Sequence, residues 1–207
     1  KTITMITKKL KLSKKNFKVR AGVFLDDANL FYAQKKAGWR IDFGKLIKLL
    51  KGEVNVVLSH HNIAVPAKWD EAFGRTDKYL KNLGEVSLVK TKPLKYIRSS
   101  GHIIKKGDVD LELALDVVRN LEKLDVVVIL SGDSDYVELR KFVLERNKKI
   151  IFMAFRENIS WEIKEGKYLI LNNLKEYIQL SEKKTPRYYT GRLLLDILYQ
   201  KGRKKSI

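Results

Sequence analysis

Two aspartates one residue apart sit in the stretch SGDSDYVEL, Ser131 to Leu139, directly after the apolar run DVVVIL. Further acids lie in FLDDANLF, residues 24–31, and in KKGDVDLELALD, residues 105–116. Asp26, Asp110, Asp133 and Asp135, with Asp116 as a fifth candidate, are the carboxylates that could be gathered at one site. Carboxylates about 4 Å apart repel by roughly 1 kcal/mol in water and roughly 4 kcal/mol at an effective dielectric near 20. A cluster of three therefore needs a cation, and a divalent ion is the simplest one. The chain has no Cys and its only histidines are His60, His61 and His102. An oxygen donor set of this kind suits Mg²⁺ or Mn²⁺ rather than Zn²⁺.

Each acid taken singly also reads as a helix cap: Asp133 or Ser134 before a helix starting near Tyr136, and Asp110 in the first turn of another. Asp116 lies about 240° around the helix from Asp110 at 100° per residue, so it ranks below the other four. Asn29, three residues after Asp26, is expected on the loop entering the first helix. Its amide could bond a phosphate oxygen, fix a metal-bound water, or act as an ordinary cap.

What would bring these acids together is the order of elements. Five apolar, β-branched runs read as strands: 21–27, 54–60, 85–91, 125–132 and 148–155. Helical periodicity separates them at 42–50, 68–83, 109–124 and 136–147. Alternation of this kind predicts an α/β protein, a three-layer α/β/α Rossmann-like fold with a mainly parallel five-stranded sheet in the order 3-2-1-4-5. Strand 1 then lies beside strand 4, and their carboxyl ends flank the crevice where such folds bind ligands. Asp26 ends the first of these strands and Asp133 follows the other. The segment KPLKYIRSSGHIIKKGD reads as a hairpin or a mobile loop. ISWEIKEGKYLILNN reads as a short helix followed by an edge strand.

The formal net charge of +19 points to a polyanionic partner. It is concentrated at the ends: residues 1–20 hold eight basic side chains and no acid, and residues 183–207 hold eight against the single Asp196. We divide the chain into a basic N-terminal extension (1–20), a domain (21–180) and a basic tail with a helix (181–207). The competing account of the ends is a solvated charge run that serves only solubility. Lys92, Lys95, Tyr96, Arg98, Lys105 and Lys106, on the approach to Asp110, are candidate nucleic-acid-binding residues, with Tyr96 as a stacking platform for an unpaired base or a packed aromatic. Tyr188 and Tyr189 sit similarly in the tail. No stretch of about 18 apolar residues suggests a membrane span. The N-terminus does not read as a secretory signal, and a cytoplasmic location is the expectation.

FLDDANLF, KKGDVDLELALD and SGDSDYVEL together resemble the three motifs of the NYN domain family, PIN-like nucleases with a Rossmann-type fold, and within it the LabA-like group. The resemblance runs from about Gly22 to Phe155 and, more weakly, to Leu180. It implies a metal-dependent endoribonuclease in which Asp26, Asp110 and Asp133 hold the metal, Asp135 is the second acid of the last motif and Asn29 the polar partner. Two positions depart from the pattern. Asp27 stands where the family usually has a small residue, and would add a charge or a solvent-facing acid; an extra residue, Asp108, could turn inward in place of Asp110. The expected chemistry is hydrolysis that leaves a 5′-phosphate and a 3′-hydroxyl, since no His pair is available for transesterification. RNA is preferred over DNA by the resemblance alone, and a homodimer is compatible with it. The competing readings are a non-catalytic RNA-binding or protein-interaction scaffold, and a metal-dependent phosphatase.

Overall fold

A computed structural model describes residues 9, 19–99 and 102–181. The tail helix expected within 181–207 and most of the N-terminal extension lie outside the described residues. The strands are β1 (Arg20–Asp26), β2 (Asn55–Val65), β3 (Leu88–Pro93), β4 (Lys95–Ser99), β5 (His102–Lys106), β6 (Val126–Leu130), β7 (Lys149–Ala154) and β8 (Tyr168–Ile170). The helices are α1 (Asp27–Ala37), α2 (Phe43–Lys51), α3 (Phe73–Gly84), α4 (Asp110–Asn120), α5 (Val137–Glu145), α6 (Trp161–Lys164) and α7 (Lys175–Ile178).

Six strands form one parallel sheet in the order β3-β2-β1-β6-β7-β8. The five-strand expectation is corrected by β8, which pairs with the end of β7 from Phe152↔Tyr168 to Ala154↔Ile170. β8 has three residues, all half-buried, so it carries too little apolar sequence to count as a core strand. The relative order of the five expected strands is retained. Their numbering shifts because β4 and β5 form a separate antiparallel hairpin.

The period of two along each strand explains why the sheet is covered on both sides. Val126, Val128 and Leu130 of β6 join one core cluster with Val23 and Leu25 of β1, Leu30 of α1, and Leu46 and Leu50 of α2. Val127 and Ile129 face the other way and pack with Phe24, Leu113 and Val117 of α4, and Leu139 and Val143 of α5. Every residue of β6 is fully buried, and each such side chain contributes about 1.5–3 kcal/mol relative to exposure. This strand and β1, buried from Ala21 onward, hold the acid-bearing loops at their carboxyl ends. At the opposite end, Arg20 grips Asp125 through two guanidinium hydrogen bonds of 3.1 and 2.9 Å, fixing β1 against the strand that follows. No helix among the described residues is long and apolar enough to cross a membrane.

Candidate functional site

Asp26 is the last residue of β1 and the N-cap of α1, its Oδ1 accepting the Asn29 N–H at 3.1 Å. Only 3% of it is exposed. Oδ2 accepts from Ser131 Oγ at 3.2 Å and from the Tyr136 hydroxyl at 3.3 Å. The same hydroxyl lies 2.8 Å from Asp110 Oδ1 in the first turn of α4. A phenol has one proton, so it donates to one of these acids at a time and ties both carboxylates to a single buried oxygen. Tyr136 thus bridges two acids that are 84 residues apart in the sequence.

Burial is the largest influence on Asp26 and pushes its carboxyl up to about 6, with the charges of Asp133 and Asp27 adding to the effect. Asp110 is pushed up to about 8, first by burial, then by its hydrogen bond with Asp108 and by the charge of Asp26. Asp108 moves the other way, held below the usual carboxylate range chiefly by hydrogen bonding with Asp110. Burial also pushes the Tyr136 phenol up, so it stays a donor. Asp110 is the residue that meets Asp26 through Tyr136, while Asp108 is exposed and accepts the Asp110 N–H at 3.4 Å.

Asp133 caps the turn Ser134–Tyr136, its Oδ1 accepting the Asp135 N–H at 3.1 Å, while its own N–H donates to Ser131 Oγ at 3.2 Å. The cap reading and the proximity to Asp26 hold together. Asp135 is exposed, and no carboxylate contact joins it to the other acids among the described residues. No group of three His, Asp or Glu side chains in metal-holding geometry occurs among the described residues. The chemistry of the donors nonetheless fits a hard divalent cation. Asp26 and Asp110 present oxygen only and share one hydrogen-bond donor, and the charge of Asp26 adds to the cost of ionising Asp110, which a positive ion would relieve.

Several residues fall elsewhere than expected. Asn29 is inside the first turn of α1, not on a preceding loop; its Oδ1 accepts from Gly132 N at 3.0 Å and from Asn158 Nδ2 at 2.7 Å. The engaged Oδ1 positions α1 against the exit of β6. Asp27 is buried and not solvent-facing, accepting from His61 Nε2 at 2.8 Å and from Tyr79 OH at 2.7 Å. It lines a cavity of about 890 Å³ among α1, α2 and α3. Asp116 is buried on the other side of α4, against His60 Nδ1 at 2.7 Å and the Lys90 ammonium.

Sequence reasoning missed three participants. Ser131 and Tyr136 lie inside the SGDSDYVEL stretch, but the acids their hydroxyls reach, Asp26 and Asp110, are distant in sequence. Asn158 carried no motif, and only the approach of the β7 exit to the β6 exit shows it. Gly132 makes that approach feasible, since a Cβ there would lie 2.6 Å from the Asn158 carbonyl oxygen and 2.8 Å from the Ile159 Cα. Gly132→Ala is expected to destabilise the fold by about 1–3 kcal/mol, because the obstacle is backbone and cannot rotate away. Urea denaturation followed by circular dichroism would check it.

The basic candidates divide. Lys105 Nζ donates to Asp70 Oδ2 at 2.6 Å, the Tyr96 hydroxyl donates to the same oxygen at 2.9 Å and accepts from Ala67 N at 2.8 Å, so both residues are committed to the base of the hairpin. Lys92 is paired with Glu112 at 2.6 Å and donates to the Asp108 carbonyl at 2.8 Å. Lys95, Arg98 and Lys106 are exposed on the hairpin.

A family model for the NYN domain matches residues 20–171. The chain belongs to the NYN domain family. Members are generally PIN-like nucleases, and the three acidic motifs of this NYN domain all fall within the matched span. The low amplitude and bright protein LabA of Synechococcus elongatus is 26% identical over 174 residues, 81% of this chain and 91% of that protein. The crystal structure of a protein of unknown function from Vibrio parahaemolyticus aligns with a TM-score of 0.62 at 20% identity, covering 81% of this chain and 99% of the other. That likeness shows the fold shared by the two chains.

Proposed function

We propose that this NYN domain is a divalent-metal-dependent endoribonuclease. The observation that carries the reading is the convergence of Asp26 and Asp110 on the Tyr136 hydroxyl at the carboxyl ends of β1 and β6, beside Asp133. Buried carboxylates in mutual repulsion are unfavourable in a protein that only holds RNA, because they would repel the phosphates they face. Asp26, Asp110 and Asp133 would hold Mg²⁺ or Mn²⁺. When bound, such an ion activates water and stabilises charge on the phosphoryl oxygens.

The chain's own residues supply the frame. Ser131 and Tyr136 orient Asp26 by donating to Oδ2, and Tyr136 aims Asp110 toward it. The Asn29–Gly132–Asn158 hydrogen bonds hold the two crevice walls at fixed separation. Asp135, which is exposed, would orient water arriving from solvent. Lys95, Arg98 and Lys106 would bind the phosphates of RNA approaching along the hairpin.

The test is cleavage of labelled single-stranded RNA, structured RNA and single-stranded DNA with Mn²⁺, Mg²⁺ or EDTA, comparing the wild type with Asp133→Asn. Metal-dependent cleavage leaving 5′-phosphate ends, absent in the variant while binding persists, is expected. A 2′,3′-cyclic phosphate product would rule out metal-assisted hydrolysis. Binding without cleavage under every metal would favour the scaffold reading.

A further inference from the structure

Two of the three tryptophans are left in solvent at the edge of the sheet that carries the acids. Trp39 is ordinary core, 5% exposed and tilted against Phe155 with ring centroids 4.9 Å apart. Trp69 is 69% exposed and Trp161 67%. An indole in water forgoes a large apolar burial, so two such residues on one rim need a reason.

Their places in the topology supply one. Trp69 is in the turn after β2, and Trp161 opens α6 after β7. In the sheet order β3-β2-β1-β6-β7-β8 these strands stand immediately outside the β1–β6 pair that carries Asp26 and Asp133. All four strands are parallel, so both tryptophans leave from the same carboxyl edge as the acids. β2 and β7 are three inter-strand spacings apart, about 14 Å, with the crevice between them.

The Trp69 ring stands on a built support, and the backbone entering Trp161 is tied to the acid loop. The Trp69 ring lies 4.5 Å from the Tyr96 ring at 46°. Tyr96 is pinned beneath it by Asp70 Oδ2 and Ala67 N, and Lys105 braces the same carboxylate oxygen. Asp70 in turn accepts the Ala72 N–H at 3.0 Å through Oδ1. Lys105, Tyr96 and Asp70 therefore form a pedestal rather than a contact surface. Ser160, preceding Trp161, donates its N–H to the Gly132 carbonyl at 2.9 Å and caps α6 through its hydroxyl. Gly132 belongs to the SGDSD motif itself, so the Trp161 support is welded to the acid loop.

We infer that Trp69 and Trp161 are the two arms of a base-stacking clamp that holds unpaired bases of a single RNA strand on either side of the acid crevice. The inference rests on the nuclease reading above and adds the two residues that would grip the strand beside the acids. Exposed aromatic faces stack on any base, the Trp69 face at little entropic cost because Tyr96 already backs it, and exposed Lys68, Lys95, Arg98 and Lys106 on the Trp69 side complement the phosphates. A base-paired helix keeps its bases stacked on one another and offers no face to either indole.

The experiment is titration of the full chain with a short oligouridylate in EDTA, read by tryptophan emission and by anisotropy of the labelled RNA, beside a blunt RNA duplex. Wild-type emission is expected to be quenched by the oligouridylate and not by the duplex. Trp69→Ala and Trp161→Ala should each weaken oligouridylate binding by about 5- to 150-fold, with most of the affinity recovered in the Trp→Phe variants. Duplex affinity should stay unchanged. Wild-type affinity for the oligouridylate in both alanine variants would overturn the clamp and leave the nuclease reading standing. An effect at one tryptophan alone would overturn the two-armed form. Failure of the wild type to bind or cleave any RNA would overturn the clamp and the nuclease reading together.

Discussion

Asp110→Asn should lower the rate of RNA hydrolysis by about a thousand-fold or more, the loss expected when a metal-holding charge worth several kcal/mol in the transition state is removed. Asn is nearly isosteric and its carbonyl can still accept the Tyr136 hydroxyl that lies 2.8 Å from Oδ1. Folding should therefore survive, and the change isolates the charge. Because Asp110 is pushed up to about 8 by burial, Asp108 and Asp26, protons would compete with a bound cation for its oxygens near neutrality. Raising the pH toward about 8 should accordingly lower the Mn²⁺ concentration needed for half-maximal rate. Single-turnover cleavage with enzyme in excess would measure both effects. An unchanged rate in Asp110→Asn would remove this residue from the chemistry and turn attention to Asp108.

A second large effect concerns stability and has the opposite sign. Asp26→Asn should stabilise the metal-free protein at pH 8. The carboxyl of Asp26 rises from the ordinary 3.8 to about 6 in the folded state, chiefly through burial. Below about pH 4 the group is protonated both folded and unfolded and contributes nothing. Between these values the folded state binds more protons, so stability falls as pH rises, and above about 6 the full cost of roughly 3 kcal/mol is present. The Asn variant lacks this cost, less whatever its amide loses against Ser131 and Tyr136. For a chain of this size the gain corresponds to about 6–12 °C in Tm. It should vanish near pH 4, and Mg²⁺ or Mn²⁺ should raise the wild-type Tm at pH 8 while leaving the variant unmoved. Thermal unfolding at both pH values, with and without metal, checks each part. A variant less stable than the wild type at pH 8 would show that its two hydroxyl hydrogen bonds outweigh the buried charge.

These two expectations describe one trade. The site keeps carboxylates where an apolar or amide side chain would fold better, as expected when stability is given up for function. The cost is borne by β1 and β6, whose buried side chains fix Asp26 and the SGDSD loop.

The sequence by itself determined the strand–helix alternation, the neighbouring of β1 and β6, and the placing of Asp26 and Asp133 at their carboxyl ends. Apolar periodicity and the handedness of crossovers are local or topological rules, and they act through many residues at once. It also determined the acid motifs through which the family is recognised. Tertiary structure alone decided which acids meet. Asp110 reaches Asp26 because the Tyr136 hydroxyl stands between them, whereas Asp135, two residues from Asp133, remains exposed. It set the Asn29 Oδ1 as a clamp on Gly132 and Asn158, and committed Tyr96 and Lys105 to Asp70. It also left Trp69 and Trp161 exposed while burying Trp39. Each of these outcomes depends on a single hydrogen bond or packing contact between distant segments. Periodicity reports which face of an element is apolar, but not which polar atom waits across the gap.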